Sequence, residues 1–160
     1  MLLECIILYV NLFGGKIMGR ISKKAENLLL IAWSQAIIAT AGSLFYSEVM
    51  GYVPCELCWY QRIIMYPLVF IYGVAAIKKE ISIALPGLFM SGIGILVSTY
   101  HYLIQKVSAF QELGGSCTGG VPCNAVYVNY FGFITIPFLA LIAFTVIFIV
   151  HLLLIKENKQ

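Results

Sequence analysis

The chain has 160 residues, 61% of them hydrophobic and only 11% charged, with a formal net charge of +3. So apolar a composition excludes a soluble globule of this size, in which about a quarter of the residues would be charged. The small positive excess also excludes the dense basic surface of a nucleic-acid-binding protein.

In chain order, residues 1–26 form an N-terminal segment expected on the cytoplasmic side. Its apolar stretch, Leu2 to Phe13, is interrupted by Glu4 and Asn11, and about 12 residues reach only ~18 Å as helix, short of the ~30 Å of a bilayer core. No basic stretch precedes it and no Ala-x-Ala-like site follows, so it does not read as a signal peptide. Met18, followed by Gly-Arg-Ile-Ser-Lys-Lys, makes a more natural beginning. Residues 1–17 are therefore an upstream extension or a weakly interfacial segment. Cys5, the odd one of five cysteines, falls there and is expected to be a bystander.

Residues 27–160 form one membrane domain. Its four apolar runs, about 27–46, 59–77, 81–103 and 130–155, are each long enough to cross a bilayer as helix. They lack the in–out alternation of a lipid-facing β-strand, so a barrel is disfavoured. The expected fold is an all-α integral membrane protein, a four-transmembrane-helix bundle. Small residues recur at four-residue spacing (Ala32 and Ala36, Gly87 and Ser91, Gly94 and Ser98), which lets helices approach closely.

Topology follows from the cations, which are retained on the cytoplasmic side. Lys16, Arg20, Lys23 and Lys24 precede the first span, Lys78 and Lys79 join the second to the third, and Lys156 and Lys159 follow the fourth. They share one face only if both termini are cytoplasmic. The segments Ser47 to Cys58 and Gln105 to Asn129 then form two extracytoplasmic loops, and these hold Cys55, Cys58, Cys117 and Cys123. Outside the cytoplasm is where disulfides form and persist. Two dithiols at the mouth of a membrane bundle point to electron traffic.

Cys55-Glu-Leu-Cys58 lies where the first outer loop enters the second helix. A helix N-terminus presents free N–H groups and partial positive charge, which favours a thiolate on Cys58. Arg62, one turn deeper on the same face, adds a full charge beside the sulfur or beside an anionic ligand. Cys-x-x-Cys alone also serves zinc sites and structural bridges. Glycines 114, 115, 119 and 120 around Cys117 give the second pair a pliable backbone.

The run Cys55-Glu-Leu-Cys58-Trp59-Tyr60-Gln61-Arg62, followed by an apolar helix with Tyr66-Pro67, resembles the DsbB family of quinone-dependent disulfide-generating membrane proteins. The likeness extends from about Lys23 to Lys156, and the compact second pair, with five residues between Cys117 and Cys123, is most similar to Gram-positive BdbC-type members. Better-known DsbB proteins space that pair more widely, so the partner-docking surface differs here. The resemblance implies a bacterial cell-membrane protein with disulfide pairs Cys55–Cys58 and Cys117–Cys123. An extracytoplasmic thioredoxin-fold thiol oxidase, DsbA-like or BdbD-like, would attack Cys117. Cys123 would then exchange with Cys55, and Cys58 would pass the electrons to the membrane quinone pool, menaquinone or ubiquinone. Arg62 would stabilise charge developing on the quinone oxygens, and no metal is implied.

His101, between Tyr100 and Tyr102 at the outer end of the third span, either donates a hydrogen bond to a quinone carbonyl or belongs to an interfacial aromatic belt with Trp59 and Tyr60. His151, near the inner end of the fourth span, is expected to be structural, and Gln35 to hydrogen-bond between helices. Two other classes compete: a thiolate metal-binding or metal-delivery membrane protein, and a structural tetraspan with stapling disulfides. Against the first, Arg62 would repel a cation. The second leaves Arg62 unexplained.

Overall fold

The computed structural model describes residues 21–110 and 121–157. The readings of residues 1–17, Cys5 and Cys117 lie outside the described residues. Helix α1 is Lys23–Leu44, continued by a π-helical turn, Phe45–Val49; α2 is Glu56–Lys78, α3 Ala84–Lys106 and α4 Ile136–Glu157. At 22 or 23 residues, each helix is about 33–35 Å long, enough to span hydrocarbon. All four carry the hydropathy of a membrane span.

The helix ends are set by local chemistry. Ser22 is extended, and its Oγ accepts from the Ala25 N–H at 3.1 Å, so α1 starts a turn ahead of its apolar run. Lys79 ends α2 in the left-handed region at φ 53°, and its Nζ meets Glu26 of the first turn of α1 at 3.0 Å. The last apolar run begins at Tyr130, yet α4 begins only at Ile136. Residues 130–134 first close a turn in which Tyr130 and Ile134 exchange backbone hydrogen bonds of 3.0 Å, with positive φ at Phe131 and Gly132. Pro137 then occupies the first turn of α4, where a missing N–H costs nothing.

The helices pack in a ring, α1 on α2, α2 on α3, α3 on α4 and α4 back on α1. The buried stripe of α3 shows how. Ala84, Gly87, Ser91, Gly94, Ser98, His101 and Gln105 recur at three- and four-residue steps and are all buried. Through the half of the bundle nearer Ser22, the inner half, they are small. A Cβ on Gly87 would collide with the His151 ring, and one on Gly94 with the Phe144 ring, so these glycines admit α4 directly. Ala32 and Ala36 serve α1 in the same way, around a core of Leu29, Leu68, Tyr72, Phe144 and Ile147. His151 is wholly internal: its Nδ1–H donates to the Ile147 carbonyl at 2.7 Å and its ring lies 5.1 Å from that of Tyr72. Phe70, Ile77 and Leu96 point outward and are largely exposed, as lipid-facing side chains are.

Candidate active site

At the end of the bundle opposite Ser22, the stripe of α3 changes from small residues to large polar ones, and these organise the site. Cys55 is the N-cap of α2, extended at φ −72° and ψ 173°, with Pro54 before it. It is buried, at 4% exposure, and Cys58 one turn on is half-buried. The two are free thiols with sulfurs 2.9 Å apart. His101, fully buried, brings its Nε2 to 3.5 Å from Cys55 Sγ and 3.2 Å from the Cys123 carbonyl oxygen, while Nδ1 lies 3.3 Å from Gln61 Nε2.

Partners therefore converge on Cys55. A hydrogen bond from Cys58, with a further one and favourable charge from His101, outweighs the cost of burial and pulls the Cys55 thiol down to about 4. The lowered group is thus Cys55, beside the Cys58 that the sequence singles out, and the start of α2 lies against both sulfurs.

The last two turns of α3 also fasten the second cysteine segment. His101 holds the carbonyl of Cys123, Gln105 Nε2 donates to Ala125 O at 2.9 Å, and Lys106 Nζ donates to Asn129 Oδ1 at 3.0 Å and Gly132 O at 2.6 Å. Cys123 is disulfide-bonded and buried beside Cys55 and Ile104. A gap of about 20 Å³ between the Cys55–Cys58 pair and Pro122–Ala125 leaves room for about one water.

Beside the thiols, between α1, α2 and α4, lies a cavity of about 380 Å³. Cys58, Gln61 and Arg62 line one wall, and Ile38, Leu139 and Ile142, all exposed on the outer faces of α1 and α4, form a rim facing sideways. Its roof is a column of tyrosines: Tyr46, Tyr52 and Tyr127 stack at 6.2 and 4.9 Å, each pair inclined by 13°. Arg62 is fixed across the wall, with Nη2 3.3 Å from the Ser43 carbonyl of α1 and Cζ 5.4 Å from the centre of the Trp59 ring. Gln35, expected only to bridge helices, also faces this cavity.

The structure thus brings Cys55, Cys58, Arg62 and His101 to one end of the bundle but gives them different surroundings. Cys58 and Arg62 face the cavity, whereas His101 does not line it and reaches it only through Gln61. Nor does His101 join the aromatic belt, for Trp59, Tyr60 and Tyr100 are exposed while its ring is internal. Sequence reasoning passed over Gln61 and Gln105. Both carry a spacing signal: Gln61 follows Cys58 by three residues on one helix, and Gln105 continues the 98, 101 progression of α3.

A four-helix membrane bundle with a buried dithiol at one end, fastened to a second cysteine segment, defines a membrane thiol–disulfide oxidoreductase. The family described as disulfide bond formation protein DsbB matches residues 24–154, and the chain belongs to that family. It is 74% identical over 143 residues to a probable disulfide formation protein of Oceanobacillus iheyensis, covering 89% of this chain and 99% of that one. It is 52% identical over 137 residues to a probable disulfide formation protein C of Halalkalibacterium halodurans, covering 86% and 99%. With the disulfide bond formation protein C of Bacillus subtilis the identity is 50% over 132 residues, covering 82% and 94%. No solved structure matches the chain.

Proposed function

We propose that this chain reoxidises an extracytoplasmic thioredoxin-fold dithiol partner and delivers the electrons to a membrane quinone, menaquinone or ubiquinone, so sustaining disulfide formation in exported proteins. The partner's thiolate attacks Cys117, Cys123 leaves and exchanges with Cys55, and the Cys55–Cys58 disulfide is restored at the quinone. Both termini lie in the cytoplasm and both cysteine segments outside.

The observation that carries this reading is the cavity. Its ~380 Å³ is of ligand size, its walls are chiefly apolar, and its few polar groups, Arg62 and Gln61 among them, gather where Cys58 reaches it. It opens toward the lipid face, where a long-tailed ring compound resides. A quinone bound there supplies a two-electron, two-proton acceptor for the dithiol. The residues supply the rest: Arg62 a fixed positive charge beside Cys58, the tyrosine column a flat aromatic wall, and Cys58 and His101 the contacts that steady the Cys55 sulfur once the pair is reduced.

The same geometry weighs against shared metal ligation. Cys55, Cys58 and His101 do converge, but two sulfurs on one tetrahedral zinc stand about 3.8 Å apart at ~2.3 Å Zn–S. These stand 2.9 Å apart.

The decisive experiment is anaerobic oxidation of a reduced thioredoxin-fold partner by the purified protein, with and without added quinone. Stoichiometric oxidation without quinone and catalytic oxidation with it are expected. Oxidation that does not respond to quinone overturns the reading.

A further inference from the structure

We propose that Gln61 is a positioning residue: its amide holds the His101 ring in the one orientation whose Nε2–H can serve the Cys55 sulfur and the Cys123 carbonyl together. This role rests on Cys55–Cys58 being the electron-passing pair, since an inert bridge needs no charged sulfur.

A carbonyl oxygen only accepts, so His101 Nε2, 3.2 Å from Cys123 O, carries the proton. The same N–H faces Cys55 Sγ at 3.5 Å. In the neutral ring Nδ1 is then a bare acceptor, and Gln61 Nε2, 3.3 Å away, is the donor that satisfies it. Both side chains are buried, with Gln61 at 6% exposure. The chain's other histidine supplies the contrast. His151 Nδ1 lies 2.7 Å from the Ile147 carbonyl and must carry its proton there, the opposite tautomer. A backbone carbonyl at Nδ1 sets one tautomer and a backbone carbonyl at Nε2 the other, and the Gln61 amide satisfies the nitrogen left bare in His101.

The consequence falls on the sulfur chemistry. Among the described residues, Cys58 and His101 are the titratable groups that act on Cys55. Without the Gln61 donor, Nδ1 would be an unpaired buried acceptor, and the ring would relieve this by turning over. The Cys123 carbonyl and the Cys55 sulfur then lose their shared donor. Gln61 also lines the cavity, so it joins the wall beside Cys58 to the histidine that ties the two cysteine segments together.

The test uses the full chain, reduced, with nitrogen-15 histidine; only two rings are present, and His151 is the internal reference. The native protein should show one Nε2–H ring and one Nδ1–H ring. In Gln61→Leu the His101 signals should move while those of His151 stay, and the pH at which the Cys55 thiolate absorbance disappears should rise by at least one unit. Gln61→Glu, which preserves size and hydrogen bonding if the apolar variant does not fold, should instead draw a second proton onto Nδ1 and give a His101 imidazolium that keeps Nε2–H and the thiolate. A native His101 protonated at Nδ1 alone, or His101 signals unmoved in both variants, overturns the proposal. Neither measurement involves quinone or partner, so a failure here leaves the reading of the cavity standing, and a missing quinone response leaves the tautomer assignment standing.

Discussion

The two halves of this bundle obey different rules, and α3 runs through both. In the inner half its buried stripe is Ala84, Gly87, Ser91 and Gly94, and α4 packs so closely that any side chain at Gly87 or Gly94 meets a ring. In the outer half the same stripe becomes Ser98, His101 and Gln105, the space between helices widens into a cavity, and hydrogen bonds to loop carbonyls replace close packing. Without a water-driven hydrophobic effect between helices, the inner half is held by close contact. The outer half instead carries a cavity, a close cysteine pair and a cation.

If this division holds, substitutions should separate cleanly into losses of chemistry and losses of folding. The largest effect is expected at Cys58: Cys58→Ser should reduce quinone-linked turnover to background while leaving thermal unfolding near normal, since Cys58 faces the cavity and the helix is otherwise unchanged. Retained turnover would break the assignment of the outer half. Next, Arg62→Met should lower turnover by about 10²-fold, the scale of one preorganised charge or donor aimed at developing charge. Arg62→Lys should keep part of the activity, because an ammonium supplies charge without the planar donor fork that reaches Ser43. Loss of insertion in Arg62→Met would instead make this residue part of the scaffold.

In the inner half, Gly94→Leu should cost about 1–3 kcal/mol or more by forcing the Phe144 ring aside, read as a lower unfolding midpoint in mild detergent. Turnover per folded molecule should be unaffected; a change in turnover alone would show that the halves are coupled. The smallest signal sharpens the outer half. A thiol whose pKa lies near 4 is ionised above that value, so reduced protein should keep one thiolate absorbance from pH 8 down to about pH 5 and lose it as pH falls through about 4. The Cys55→Ser variant should lack that step. A step near pH 8 to 9 would mean that His101 and Cys58 do not act on Cys55 as their positions require.

The architecture was legible in the sequence because a bilayer imposes a length and a polarity on each span, and four such runs with paired cation clusters admit few arrangements. The starts of α1 and α4 were less so. Ser22 draws polar Lys23 and Lys24 into the helix through its cap, and the apolar residues Tyr130 to Ile134 are spent on a turn. At the site, Cys55, Cys58 and Arg62 could be grouped because they share one short stretch of chain. His101 could be named but not placed. Its partners, Gln61 of α2 and the carbonyl of Cys123, come from segments 40 and 22 residues away, and no periodicity within one helix reveals a contact between helices.

The sideways rim at Ile38, Leu139 and Ile142 has a practical consequence for anyone measuring affinity. A compound that enters there is drawn from the hydrocarbon phase, so what governs occupancy is its mole fraction among lipid or detergent tails, not its molarity in the buffer. Doubling the micelles at fixed total compound halves that mole fraction and weakens binding with no change in the protein. Half-saturation values from different detergents therefore compare only when expressed per mole of amphiphile, and reconstitution into small bilayer discs should sharpen saturation by removing the excess tails.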